Sequence, residues 1–167
     1  MEINSAPSPD SKVAFAASSD DFVITVKTDN TGISADDAFV IPIYSLDTYN
    51  YNVDCNDDGT DEFTSQTGSV TCDYSALGGA GTYTIRIEDN SGIGTGFPRI
   101  YFFVSGDREK ITSLDQWGTG KWTSFYGAFR GAKKMVVNAT DAPDLSNVDS
   151  TSYMFSDAYL ANPNTTN

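Results

Sequence analysis

The sequence predicts a mainly β fold, a β-sandwich followed by the opening turns of a stacked repeat array. Three observations predict it. Short alternating apolar segments are separated by polar turn clusters, as half-buried strands require. Asp, Asn, Gly, Ser and Thr are plentiful while Leu is scarce, a balance that favours turns and strands over helix faces. Late in the chain, one segment can be laid on another 26 residues further on without a gap.

Taken in order, residues 1–19 read as a flexible leader. They carry neither a basic region nor an apolar stretch, so they are not a signal peptide, and an export signal is expected outside the sequence shown. Phe22, Ile24 and Val26 then fall on one face of a strand, with Thr25 and Lys27 on the other. A turn cluster over 28–32 leads to a second strand over 39–44, whose Pro42 suits an edge position. Further strands are expected at 49–53, 69–74, 82–88 and 99–104, making residues 20–105 a sandwich of about seven short strands. From 106 to 167 the alternation gives way to aromatic and small residues. There Trp122–Ala132 superimposes on Val148–Ala158, matching Ser124 with Ser150, Phe129 with Phe155 and Ala132 with Ala158. This segment is expected to begin leucine-rich-type repeats of 26-residue period, whole or truncated, with a frayed or cut edge at 162–167.

Composition removes several classes of function. A chain of 167 residues holds one domain or two small ones. Histidine is absent, which removes the commonest general base and every Ser-His or Cys-His nucleophile pair. Ten Lys plus Arg against 23 Asp plus Glu give a net charge of −13, a surface that repels phosphate backbones and anionic lipid. Nucleic acid is therefore not an expected partner. No apolar run is long enough for a membrane-spanning helix, so no membrane insertion is expected of this segment.

One stretch has the donor pattern of a hard-cation site. Asp54, Asn56 and Asp58 place oxygen side chains at alternate positions, Gly59 permits a sharp turn, and Glu62 follows at the ninth position. The twelfth position is Ser65 rather than a bidentate Glu, which disfavours an EF-hand. Calcium held by Asp54, Asn56, Asp58 and Glu62 is one reading; an acidic hairpin turn is the other. No cofactor is required, and Ca²⁺ is the candidate. Cys55 and Cys72 flank this hairpin and either form a disulfide, which implies an oxidising compartment, or remain buried thiols. Two cysteines without histidine leave a zinc shell half filled. The glycine-rich stretches at 78–81 and 92–96 lack the frame of a phosphate cradle and read as loops. Trp117 and Trp122 are either core or the platform of a carbohydrate site.

Two resemblances sharpen these expectations. Tyr51–Gly59, with Cys72–Tyr74 and Gly81–Ile87, resembles a divergent PKD domain, an immunoglobulin-like sandwich common in surface proteins. It departs from that family in lacking the motif tryptophan and in carrying Cys55 and Cys72. The segments 97–101, 111–118, 122–124, 128–129, 139–148 and 154–155 resemble BspA-like leucine-rich-repeat surface proteins of bacteria. Within 139–148, Leu145 and Val148 are expected to point inward, with Asn147 satisfying backbone. The resemblance implies a non-enzymatic, extracellular or cell-surface module whose array meets a protein or glycan ligand at a cell surface or matrix, adhesion being the implied role. A carbohydrate-binding module is the alternative, and a hydrolase working through paired carboxylates is a second.

Overall fold

A computed structural model describes residues 18–161. The expected leader lies outside them except for its last two residues, and so does the expected edge at 162–167. Among the described residues the fold is mainly β with no helices. Its strands are β1 Phe22–Lys27, β2 Ala38–Ile41, β3 Tyr51–Asp54, β4 Phe63–Gln66, β5 Val70–Asp73, β6 Thr82–Asp89, β7 Ile111–Gln116 and β8 Val136–Val137. Six of them form an open sheet in the order β4-β3-β6-β1-β7-β8, and β2 pairs with β5 in a second sheet. All pairings are antiparallel except β7 with β8.

The alternation read in β1 has its physical counterpart in register. Phe22 pairs with Ile87, Ile24 with Ile85 and Val26 with Tyr83, which places a row of apolar side chains from β1 and β6 together in the core. The second strand is shorter than expected: β2 stops at Ile41, ahead of Pro42, which has no N–H for the ladder. The strand expected at 99–104 does not form. Phe103 and Val104 adopt φ of 41° and 67°, incompatible with an extended ladder, and their N–H groups go to the carbonyls of Gly127 and Arg130 instead. Conversely, β7 forms where no alternation was read. Register shifts between Val23 and Ile24 and between Thr25 and Val26 break its pairing with β1, so its buried positions do not keep period two.

One core cluster serves both sheets and the aromatic tail. Phe22 on β1 meets Trp122 edge to face at 5.0 Å and Phe97 at 6.0 Å, while Trp117 packs on Phe125 at 5.4 Å. Sheet and core thus run without interruption across residue 105. A buried polar bolt closes the opposite side. Asp107 accepts N–H bonds from Ile33, Ser34 and Val40, while the Lys110 ammonium donates to the carbonyls of Ser34, Ala35 and Ala38. A Cβ on Gly32 would stand 2.4 Å from the Asp107 carboxylate, so the bolt needs glycine there.

Beyond the sheets the backbone stacks in three tiers, at 98–105, 123–131 and 149–157. Phe102, Phe103 and Val104 donate to the carbonyls of Ala128, Gly127 and Arg130, and Phe125, Gly127, Phe129 and Gly131 donate to those of Ser150, Ser152, Met154 and Ser156. Residues that the 26-residue spacing superimposes lie over one another. The rings of Phe129 and Phe155 stack at 5.7 Å, and Ala132 and Ala158 are both buried. Gly127 and Gly131 (φ 62° and 82°) repeat as Tyr153 and Asp157 (φ 59° and 61°). The middle tier needs glycine, because a Cβ at 127 would come 2.5 Å from the Phe103 ring and one at 131 would come 2.9 Å from Arg108.

Candidate functional site

β3 ends at Asp54, and its carboxylate organises the turn that follows. Oδ1 accepts the N–H groups of Asn56, Asp57 and Asp58, and Oδ2 accepts that of Gly59 at 2.8 Å. Such a wrap requires left-handed backbone, supplied by Asp57 (φ 58°) and Gly59 (φ 86°). Glu62, at the far end of the loop, accepts the Cys55 N–H at 2.6 Å. Carboxylate oxygens of Asp54, Asp58 and Glu62 all come within 4.8 Å of one another, with Asp54 buried and the other two exposed. This cluster could hold a metal ion. The Asn56 side chain is turned to the backbone, its Oδ1 accepting the Asp58 N–H.

The donor set has capacity left for a cation. A carboxylate has about four lone-pair sites. Glu62 uses Oε2 for Cys55 and Asp58 uses Oδ1 for Thr60, which leaves Oε1 and Oδ2 to turn inward. Backbone carbonyls and water would have to complete the six to eight oxygens that calcium takes.

Cys55 and Cys72 form a disulfide with a Cα–Cα distance of 5.7 Å. The bond runs from the residue after β3 into β5, so it fastens the six-stranded sheet to the two-stranded one at the root of the acidic turn. Tyr74 adds a second fastening, donating its hydroxyl to the Cys55 carbonyl at 2.8 Å while its ring lies flat on Tyr83 at 3.7 Å.

Negative charge accumulates around this turn. Burial, followed by the charge of Asp54, raises the Asp61 and Glu62 carboxyls above their ordinary values. Glu88 is raised by burial and by Asp61 and Asp54. Asp21 is pushed up to about 6, chiefly by burial and then by Glu88. Arg86 is the cation of this face, pairing with Asp57 and reaching Asp21 at 3.6 Å.

Trp117 and Trp122 do not form an exposed platform: they are 6% and 1% exposed and belong to the core. Leu145, expected inward, is 55% exposed. A different row of rings reaches the surface. Tyr44, Tyr101, Phe103, Tyr126 and Tyr153 follow one another at 5.1–5.9 Å across all three tiers. Arg99 lies over Tyr44, and Arg130 lies over both Phe103 and Tyr153. The 26-residue spacing that joins Phe129 to Phe155 could have found the last two rings, because Gly127 and Tyr153 occupy equivalent places one residue beyond Tyr126. Tyr101 and Phe103 were hidden by the strand expected at 99–104, and Tyr44 by the one expected at 39–44.

Compared with known proteins, the chain matches no family model, no curated protein and no solved structure. Among the described residues no helix is long and apolar enough to cross a membrane.

Proposed function

We propose that this chain is a non-enzymatic module of a bacterial cell surface, in which a PKD-like, immunoglobulin-type pair of sheets carries the opening tiers of a leucine-rich-type array for adhesion or protein interaction. The observation that carries this reading is the stacking of three tiers at offsets of 24–26 residues, with the same left-handed positions recurring in the second and third. A tier of this kind buries its inner side chains only against its neighbours and leaves a regular outer face for a partner. The disulfide between the sheets is compatible with an oxidising compartment.

The contact face in this proposal is the aromatic row with Arg99 and Arg130. Tyrosine and arginine are over-represented where partners bind, because they combine large contact area with polar tips. Calcium at Asp54, Asp58 and Glu62 would stiffen the turn at the root of the sheets rather than take part in contact. Binding of the purified chain to immobilised matrix proteins and glycans tests the reading. Saturable binding to a protein, weakened about tenfold or more by Arg130→Ala or Tyr153→Ala, is the expected result. Binding to a glycan alone, unaffected by either change, would replace it with the carbohydrate-binding alternative.

A further inference from the structure

In this array the tiers hand hydrogen bonds forward. The four N–H groups of Phe125, Gly127, Phe129 and Gly131 donate at 2.7–2.9 Å to the third tier, and a single bond at each tier's entry runs the other way, from Thr123 to Pro98 and from Asp149 to Thr123. The corresponding donors of the third tier are Thr151, Tyr153, Phe155 and Asp157. Among the described residues none of these four N–H groups has an acceptor. Among the described residues, the end of the array is therefore a row of four N–H donors without acceptors, with the Asp149 carbonyl at its head.

Side chains at the same end are incomplete in a matching way. A hollow of about 350 Å³ opens between Phe125, Val137, Leu145, Met154 and Phe155. Around this end Leu145, Tyr153, Tyr159 and Leu160 are 54–73% exposed, whereas a capping unit presents a polar outer face. The chain also leaves the third tier as it left the second, with Ala158 and Ala161 buried where Ala132 and Met135 are buried.

We propose that this end is the docking face for a fourth tier of the same 26-residue class, laid parallel on the third. The inference rests on reading this portion as a repeat array. The fourth tier's carbonyls accept from Thr151, Tyr153, Phe155 and Asp157, its entry N–H donates to Asp149, and an apolar side chain fills the hollow over Phe155. A second copy of the chain meeting this end about a two-fold axis is disfavoured by polarity, since four donors would face four donors.

Amide exchange tests this without reference to any surface ligand, so failure of the adhesion reading and failure of this one are separable. In the 167-residue chain the amides of 151, 153, 155 and 157 exchange fast while those of 125, 127, 129 and 131 are protected. A chain in which a second copy of residues 136–161 follows Ala161 directly protects the first set by about tenfold or more, and a scrambled copy of equal length does not. Equal protection of both sets in the unextended chain overturns the proposal, and with a dimeric mass it would assign the face to a second copy. An ordered extension that leaves the four amides fast also overturns it.

Discussion

Two loops on neighbouring strands are built around one aspartate each, and they differ in what surrounds it. Asp54 gathers the N–H groups of 56, 57, 58 and 59, and Asp89 gathers those of 91, 92, 94 and 96. Both carboxylates replace missing backbone partners in a turn, one rich in acidic residues and the other in glycine. The groups bonded to Asp89 are hydroxyl and backbone amide groups, and against the opposing effect of burial its carboxyl is held below the usual range by Ser91 and the N–H groups of Gly94, Gly96 and Ser91. Around Asp54 stand further carboxylates, Asp58, Asp61 and Glu62, two of them raised. Asp58 and Glu62 each accept one backbone N–H and keep a second oxygen unused, so this loop carries more carboxylate capacity than its turn consumes. The comparison therefore separates the acidity that builds turns from the acidity that is available for a cation.

The largest test of this distinction is removal of each central carboxylate. Asp54 is 1% exposed, so Asp54→Ala leaves up to four N–H groups without partners beside the disulfide, at a cost of about 4 kcal/mol. Asp89 is exposed, water can replace it, and Asp89→Ala costs about 2 kcal/mol. Chemical denaturation of both variants measures the difference. Equal losses would mean that burial at Asp54 contributes nothing beyond its hydrogen bonds.

Next in size is the disulfide, which is attached to one loop only. Its closed span of 17 residues holds the acidic turn and β4, and replacing Cys55 and Cys72 with alanine destabilises the fold by roughly 3 kcal/mol. Amide exchange should quicken over 55–62 well before it quickens over 91–96. Thiol titration in denaturant checks the premise, with no reactive thiol expected in the oxidised protein.

A cation provides a smaller and more selective probe. At calcium tenfold above its dissociation constant, the expected gain is about 1.4 kcal/mol, or roughly 4 °C in the melting temperature. Asp58→Asn combined with Glu62→Gln removes that gain and spares the four bonds to Asp54, whereas Asp89→Asn leaves it intact. No shift in the melting curve between EDTA and millimolar calcium would reduce the acidic turn to a second version of the Asp89 loop.

Much of this contrast was visible in the residues themselves. Alternate oxygens ending in glycine announced the Asp54 turn, and two cysteines flanking it announced the bond, because both signals are local. Asp89 went unremarked: its partners at 91–96 lie in a stretch read only as a glycine-rich loop, and a carboxylate that folds its own loop has no distinctive spacing. The Asp107–Lys110 bolt was equally silent, since its partners at 33–40 lie some 70 residues away in sequence. β4 was missed because only Phe63 and Gln66 are even half-buried, and Ser65 takes a left-handed φ of 56°. The stacking of Phe129 on Phe155 was legible from side chains 26 residues apart, but the first tier was not, because Pro98–Ser105 joins the second tier through backbone hydrogen bonds and has no matching sequence.

The smallest expected effect is on the response to pH, and here the two loops should have opposite signs. Glu62 has its carboxyl raised in the fold, so it contributes stability at low pH that is lost as pH rises from the ordinary glutamate value through its folded one. Asp89 is lowered, so its contribution is present above the ordinary aspartate value and is lost as pH falls through the folded one. Both side chains are exposed, and solvent screening keeps each effect below about 1 kcal/mol. Asp21, raised to about 6, gives both variants a common loss between pH 3.8 and about 6. Against that background, Glu62→Gln should flatten the fall in stability above pH 4.5 and Asp89→Asn should flatten the rise below pH 4. Calcium reverses the first sign, because a cation favours the ionised carboxylate and so pulls Glu62 back down. A pH series with and without calcium therefore reads the difference between the two loops directly: the Glu62 limb moves with the ion and the Asp89 limb does not.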